Sequence, residues 1–104
     1  MFWVISYDIP NDKRRRKVSD ILEGYGRRSQ YSVFECDIDD AKRIKLEMRL
    51  MQVIDKDEDD VRFYPLNEAD MQRVRLLGKA TLERKRGFYI IQDEDGRERA
   101  DEPF

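Results

Sequence analysis

Asp8 is the residue best placed to do chemistry. It stands at the end of an apolar segment, in Ser6-Tyr7-Asp8-Ile9-Pro10, and a strand end is where a rigid element delivers a side chain to a site. A lone carboxylate there also has an ordinary role, capping the following helix or accepting from loop amides. Beside it run five consecutive cations, Lys13, Arg14, Arg15, Arg16 and Lys17. They fall in the first turns of the helix predicted next, where the helix dipole disfavours positive charge. An anionic partner is the natural reason to keep them there; a solvated helix face is the plain alternative. Arg and Lys neutralise phosphate, and the amides of a helix N-terminus favour it too. Successive helical residues point about 100° apart, so the five cannot all meet one ligand. Arg27 and Arg28 lead into the next strand and extend the patch.

Composition removes the common alternatives. The 104 residues contain no histidine and one cysteine, Cys36. An intrachain disulfide, a thiolate-rich zinc site and Ser-His-Asp chemistry are all excluded. Cys36 lies in an alternating apolar segment and reads as a small buried hydrophobe. The net charge of −2 hides a segregation. Residues 11–28 carry seven basic and three acidic side chains, and residues 79–87 carry four basic and one acidic. Residues 93–104 carry six acids and two bases. Screening confines each cluster's field to about 8 Å at physiological salt, so local charge is a better guide to partners than the total. No apolar run approaches the roughly 20 residues of a membrane span, and Phe2-Trp3-Val4-Ile5 is too short for a signal peptide. The expected location is the cytoplasm, with no membrane partner.

The elements that must position Asp8 and the cations follow from periodicity. Met1 to Ile9 is predicted as a strand, apolar on both faces and therefore central. Pro10 ends it, and Asn11 or Asp12 caps a helix with the stripe Val18, Ile21, Leu22, Tyr25, stopped by Gly24 and Gly26. Gln30 to Asp37 alternates as a second strand. Asp39 and Asp40 cap a second helix to about Ile54, with Ile44, Met48 and Met51 as its inward stripe. A second apolar stripe, Leu46, Leu50 and Val53, lies on roughly the opposite side, under a loop or the C-terminal segment, or facing a partner. The acidic run 55–60 reads as a solvated turn. Val61 to Leu66 is a third strand, Asn67 to Met71 a helical turn, Arg73 to Lys79 a fourth strand and Phe88 to Ile91 a short fifth. The expected organisation is one domain over residues 1–92 and an acidic tail over 93–104, whose alternatives are disorder or docking on a basic partner.

The fold class expected is α+β, a ferredoxin-like split βαβ (βαββαβ) sandwich, with its fourth main strand drawn from 73–79 or 88–91. That order places the first and third strands in the middle of the sheet. Two helices cover one face only. The apolar residues of the other face call for a second copy through a two-fold axis, and the fifth strand is free to pair with that copy's sheet edge. The expected assembly is a homodimer.

At this point the sequence resembles a known family. Val4-Ile5-Ser6-Tyr7-Asp8-Ile9, the basic helix start and Arg28-Ser29-Gln30-Tyr31-Ser32-Val33-Phe34-Glu35 resemble the small CRISPR-associated nuclease subunit, the ferredoxin-like partner of the integrase in spacer acquisition. The likeness runs over about residues 1–91 in element order. It implies a symmetric dimer with Asp8 of each chain facing across the two-fold axis, and cleavage of RNA or double-stranded DNA dependent on Mg²⁺ or Mn²⁺. It also implies a non-catalytic role, as the scaffold that holds DNA between integrase dimers. Asp8 is then the catalytic residue and metal ligand. Tyr7 and Phe34 are supporting residues, and Arg15 and Arg28 fall at functional positions. Lys17 stands where Arg is common, which removes a bidentate contact.

The residues agree with part of this. Mg²⁺ takes oxygen ligands, commonly one or two carboxylates with waters and phosphate, and Asp8 from two chains supplies them without any histidine. Arg14, Arg15, Arg16, Lys17, Arg27 and Arg28 are the expected nucleic-acid contacts. One carboxylate per chain is a sparse site, so the DNA-binding scaffold stands as the alternative. A ferredoxin-like regulatory or interaction module, binding no nucleic acid, is the third reading.

Overall fold

The structure, a computed structural model, describes residues 1–84 and 87–89. They fall in two compact units, Met1–Asn67 and a second beginning at Glu68.

The first unit contains β1 (Phe2–Asp8), α1 (Asp12–Glu23), β2 (Arg27–Gln30), β3 (Val33–Asp37), α2 (Asp40–Met51) and β4 (Asp60–Leu66). Its sheet has the order β2-β3-β1-β4 with every neighbour antiparallel. This is the split-βαβ arrangement, with β1 and β3 central. Asn11 caps α1 through Oδ1, which accepts from the Arg14 amide at 2.8 Å. Asp39 caps α2 in the same way, accepting from the Lys42 amide at 2.9 Å. Each cap satisfies an amide that the helix leaves without a partner.

The fourth strand of the sheet comes from neither segment expected to provide it. Residues 27–37 form a hairpin and not one strand. Arg28 pairs with Phe34 and Gln30 with Val33, a register shift that leaves Tyr31 and Ser32 as the turn. Residues 73–79 form no strand: an alternating pattern becomes a strand only where an edge offers backbone partners. The second unit contains α3 (Glu68–Gln72), β5 (Leu82–Arg84) and β6 (Gly87–Tyr89), the last two paired as a separate antiparallel hairpin. Of the expected fifth strand, residues 90 and 91 lie outside the described residues, as do the boundary at 92 and the tail 93–104.

The core lies between the sheet and both helices. Ile5, Tyr7, Phe34 and Cys36 from the sheet meet Val18 and Leu22 of α1 and Leu46 and Leu50 of α2. The inward stripe of α2 is therefore the reverse of the one expected. Leu46 and Leu50 are buried, while Ile44, Met48 and Met51 are 50–62% exposed. The opposite face of the sheet, with Val4, Ser6 and Asp8 of β1 and Arg62 and Tyr64 of β4, receives neither helix.

Candidate nucleic-acid interface and carboxylate site

Alternation along β1 fixes which side chains share a face. Tyr7 points into the helix-covered core and Asp8 to the other side, with Val4 and Ser6. Asp8 is exposed, and among the described residues no hydrogen bond or ion pair engages its carboxylate. Its cross-strand partner is Asp60. Like charges directly opposite are destabilising, and Arg62 relieves this pair: its Nε and Nη2 donate to the two Asp60 oxygens at 2.9 and 3.0 Å. Those bonds hold the Asp60 carboxyl below the usual range. Asp60 is thus occupied and Asp8 is free. Sequence reading passed over Asp60; its place next to the third strand was visible, but its register against Asp8 was not.

Among the described residues no three acidic, histidine or cysteine side chains come together to hold a metal ion. Asp8 suits Mg²⁺ or Mn²⁺ in kind, being an accessible carboxylate with free oxygens. One chain gives one such group, so further oxygens would have to come from a second chain, from water or from phosphate.

The expected cationic patch divides into parts. Arg14 turns to the acidic segment: Nε donates to Asp59 Oδ2 at 2.8 Å, and Nη2 to Asp59 Oδ1 at 3.1 Å and to Glu58 at 3.0 Å. The Asp59 side chain is fully buried, and its Oδ2 also accepts from the Asp55 amide at 2.8 Å. The segment read as a solvated turn is therefore ordered about a buried carboxylate, which Arg14 holds below its ordinary pKa. Arg27 and Arg28, adjacent in β2, face opposite sides of the sheet. Arg27 pairs in register with Glu35 and lies 3.8 Å from its carboxylate. Burial pushes the Glu35 carboxyl up, against the pull of Arg27.

Arg28 points to the helix side. Its guanidinium lies 4.9 Å from the centroid of Phe34, and Phe34 stacks with Tyr7 at 6.3 Å. Nη2 donates to Ser19 Oγ, and Nη1 to the Tyr31 carbonyl and, at 3.4 Å, to the Tyr7 hydroxyl. Tyr7 and Phe34 thus form the surface on which Arg28 packs. Arg15 bonds the chain end after β1, donating from Nη1 to the Ile9 carbonyl at 2.8 Å and from Nη2 to Asp12. Arg16 and Lys17 are exposed on α1, with no ion pair among the described residues.

Arg15, Arg16 and Arg28 come together with Tyr7, Tyr31 and Ser32 around an open cleft of about 610 Å³. Arg14 and Arg27 lie outside it. Cys36 is fully buried, and burial with the neighbouring Glu35 pushes its thiol to about 12, so it is no nucleophile near neutral pH. No helix among the described residues is long and apolar enough to cross a membrane.

The sequence model of the CRISPR-associated protein Cas2 family matches residues 1–74. The chain is 45% identical over 89 residues to CRISPR-associated endoribonuclease Cas2 3 of Synechocystis sp., covering 86% of this chain and 97% of that one. Among solved structures it is similar to Streptococcus pyogenes Cas2, with 37% identity and a TM-score of 0.66 over 75% of this chain and all of that one. It is also similar to a chain of a partial Cas6-RT-Cas1–Cas2 complex, with 34% identity and a TM-score of 0.65 over 72% of this chain and 88% of that one.

Proposed function

The chain belongs to the CRISPR-associated protein Cas2 family, and from that premise we propose that it is a metal-dependent endonuclease and nucleic-acid-binding subunit of CRISPR adaptation, acting as a homodimer beside the integrase in the cytoplasm. The observation that carries the chemistry is the free carboxylate of Asp8, exposed at the end of a central strand and next to the basic start of α1. Nuclease activity is the property in the name of the Synechocystis relative, and the Cas1–Cas2 complex among the neighbours supports the integrase partner.

Two chains meet through the sheet faces that α1 and α2 leave uncovered. Val4 is half-buried there, and Tyr64 is 46% exposed. The two-fold axis brings Asp8 of one chain toward Asp8 of the other, and the two carboxylates would hold Mg²⁺ or Mn²⁺. A cation held there would supply charge stabilisation for the phosphate. This chain's own residues do the rest. Arg16 and Lys17, with the outer edge of Arg15, hold the phosphate backbone of DNA or RNA in register. Arg28, fixed on Tyr7 and Phe34, lines the same approach. Arg14 and Arg27, engaged by carboxylates, contribute structure and not phosphate contact.

The sparse carboxylate count favours a second reading, in which the dimer is a DNA-binding scaffold and cleavage is secondary. Comparing wild type with Asp8→Ala in a cleavage assay and in a spacer-integration assay with the integrase separates the two. Loss of cleavage with integration intact assigns the biological role to the scaffold; loss of both assigns it to chemistry. Absence of any salt-dependent affinity for DNA or RNA would leave only the regulatory-module reading.

A further inference from the structure

Tyr31 stands out once the backbone contacts of the cations are assigned. It is 93% exposed, more than any other large apolar or aromatic side chain among the described residues. Its position in the chain is nonetheless fixed: its carbonyl accepts from Arg28, and that guanidinium is packed on Phe34 and bonded to Ser19. A bare aromatic ring on a fastened turn pays little ordering entropy when something stacks on it. Tyr31 lines the cleft together with Arg15 and Arg16. Of the three arginines lining it, Arg15 engages Asp12 and Arg28 lies 3.8 Å from the Glu23 carboxylate. Arg16 has no ion pair among the described residues. At about 610 Å³ the cleft lies within the range of small-molecule sites.

The Arg16 guanidinium and the exposed Tyr31 at one concavity suit a ligand with an anionic end and an aromatic end. We propose that this cleft is a subsite for one unpaired nucleotide, its base stacked on Tyr31 and its phosphate held by Arg16 with Arg15. The inference rests on the reading of the chain as a nucleic-acid binder and deepens it: duplex backbone needs only the cations, whereas a stacked base must be out of a helix. The ligand unit is a nucleoside monophosphate, either free or as the unpaired end of a strand.

Calorimetric titration of the full chain tests this with four probes: adenosine 5′-monophosphate, inorganic phosphate, a short single strand and a blunt duplex. Wild type is expected to bind the single strand, and to bind the mononucleotide more tightly than phosphate if the free nucleotide is also a ligand. Tyr31→Ala is expected to weaken single-strand binding about 5- to 150-fold, the range for loss of one base stack. Tyr31→Phe keeps the ring and should keep the affinity. Arg16→Ala should weaken single strand and duplex alike, while Tyr31→Ala leaves the duplex unchanged. A Tyr31-dependent single strand with no mononucleotide binding assigns the site to strand ends; mononucleotide binding assigns it to free nucleotide as well. Equal single-strand affinity for wild type and Tyr31→Ala overturns the subsite while duplex binding keeps the wider function intact. Failure of wild type to bind either polymer overturns both.

Discussion

Arg14 and Asp59 show how far a side chain's role can lie from its neighbours in sequence. Arg14 belongs to the basic run, yet its guanidinium closes the Asp55–Asp60 segment through a buried carboxylate. Local charge pattern cannot reveal this, because the partner lies 45 residues away. The pH consequence follows from the sign of the shift. Asp59 titrates lower in the folded chain than the unfolded value of about 3.9. The unfolded state therefore takes up the proton first, and the stabilisation is complete above about pH 5 and lost as pH falls through the folded value. Asp59→Asn should lower the melting temperature at pH 7 and flatten the acid limb of a stability–pH profile; an acid limb identical to wild type would contradict this. Cys36 was legible from sequence, since an alternating apolar strand has few uses for a lone thiol except packing. With its pKa pushed to about 12 and no exposure, it should resist iodoacetamide at pH 8 until denaturant unfolds the chain. Rapid native labelling would refute that.

At the scale of elements, the topology class was legible but the order of the strands was not: the strand over 61–66, expected in the middle of the sheet, is the edge strand β4, and the middle place beside β1 belongs to β3. The β2–β3 hairpin was missed because its turn, Tyr31-Ser32, carries none of the Gly, Asn or Asp residues that usually mark one, and alternation continues straight through it. Gly26 was the available signal. A Cβ there would lie 2.2 Å from the Glu35 carbonyl oxygen and 2.5 Å from Cys36 Sγ, so glycine permits β2 to close on β3. Gly26→Ala should destabilise by about 1–3 kcal/mol or more, the range for overpacking, in a urea titration. The orientation of α2 was undecidable from periodicity, since Ile44/Met48/Met51 and Leu46/Leu50/Val53 repeat at the same spacing. Packing decides: Leu46 and Leu50 join Leu22 and Phe34 in one cluster. Leu46→Ala should therefore cost about 2–5 kcal/mol and Met48→Ala no more than about 0.5 kcal/mol. The reverse ranking would restore the stripe expected from sequence.

At the scale of the whole molecule, the fold class was readable because β1 is apolar on both faces and because two amphipathic helices fit only one side of a four-stranded sheet. The site was readable in part. The positions of Asp8 at the end of β1 and of Arg15, Arg16 and Lys17 on α1 were legible from residue type and spacing, whereas the carboxylates that engage Arg14 and Arg27, and the pairing of Asp60 with Asp8, were not. The dimer proposed from the uncovered face should appear as twice the 12.6 kDa chain mass by light scattering at micromolar concentration, and a monomer would reject it. Replacing Arg15 and Arg16 together by Ala should reduce the slope of log affinity against log salt by about one to two, since each phosphate contact contributes about 0.9; an unchanged slope would move the binding surface elsewhere. The central claim is that Asp8 carries the chemistry while the cations carry the binding. Its most direct measurement is cleavage of RNA and duplex DNA by purified Asp8→Ala in Mg²⁺ and in Mn²⁺, with duplex affinity and oligomeric state measured on the same sample. The account predicts cleavage at background with affinity and dimer retained; cleavage as fast as wild type would contradict it.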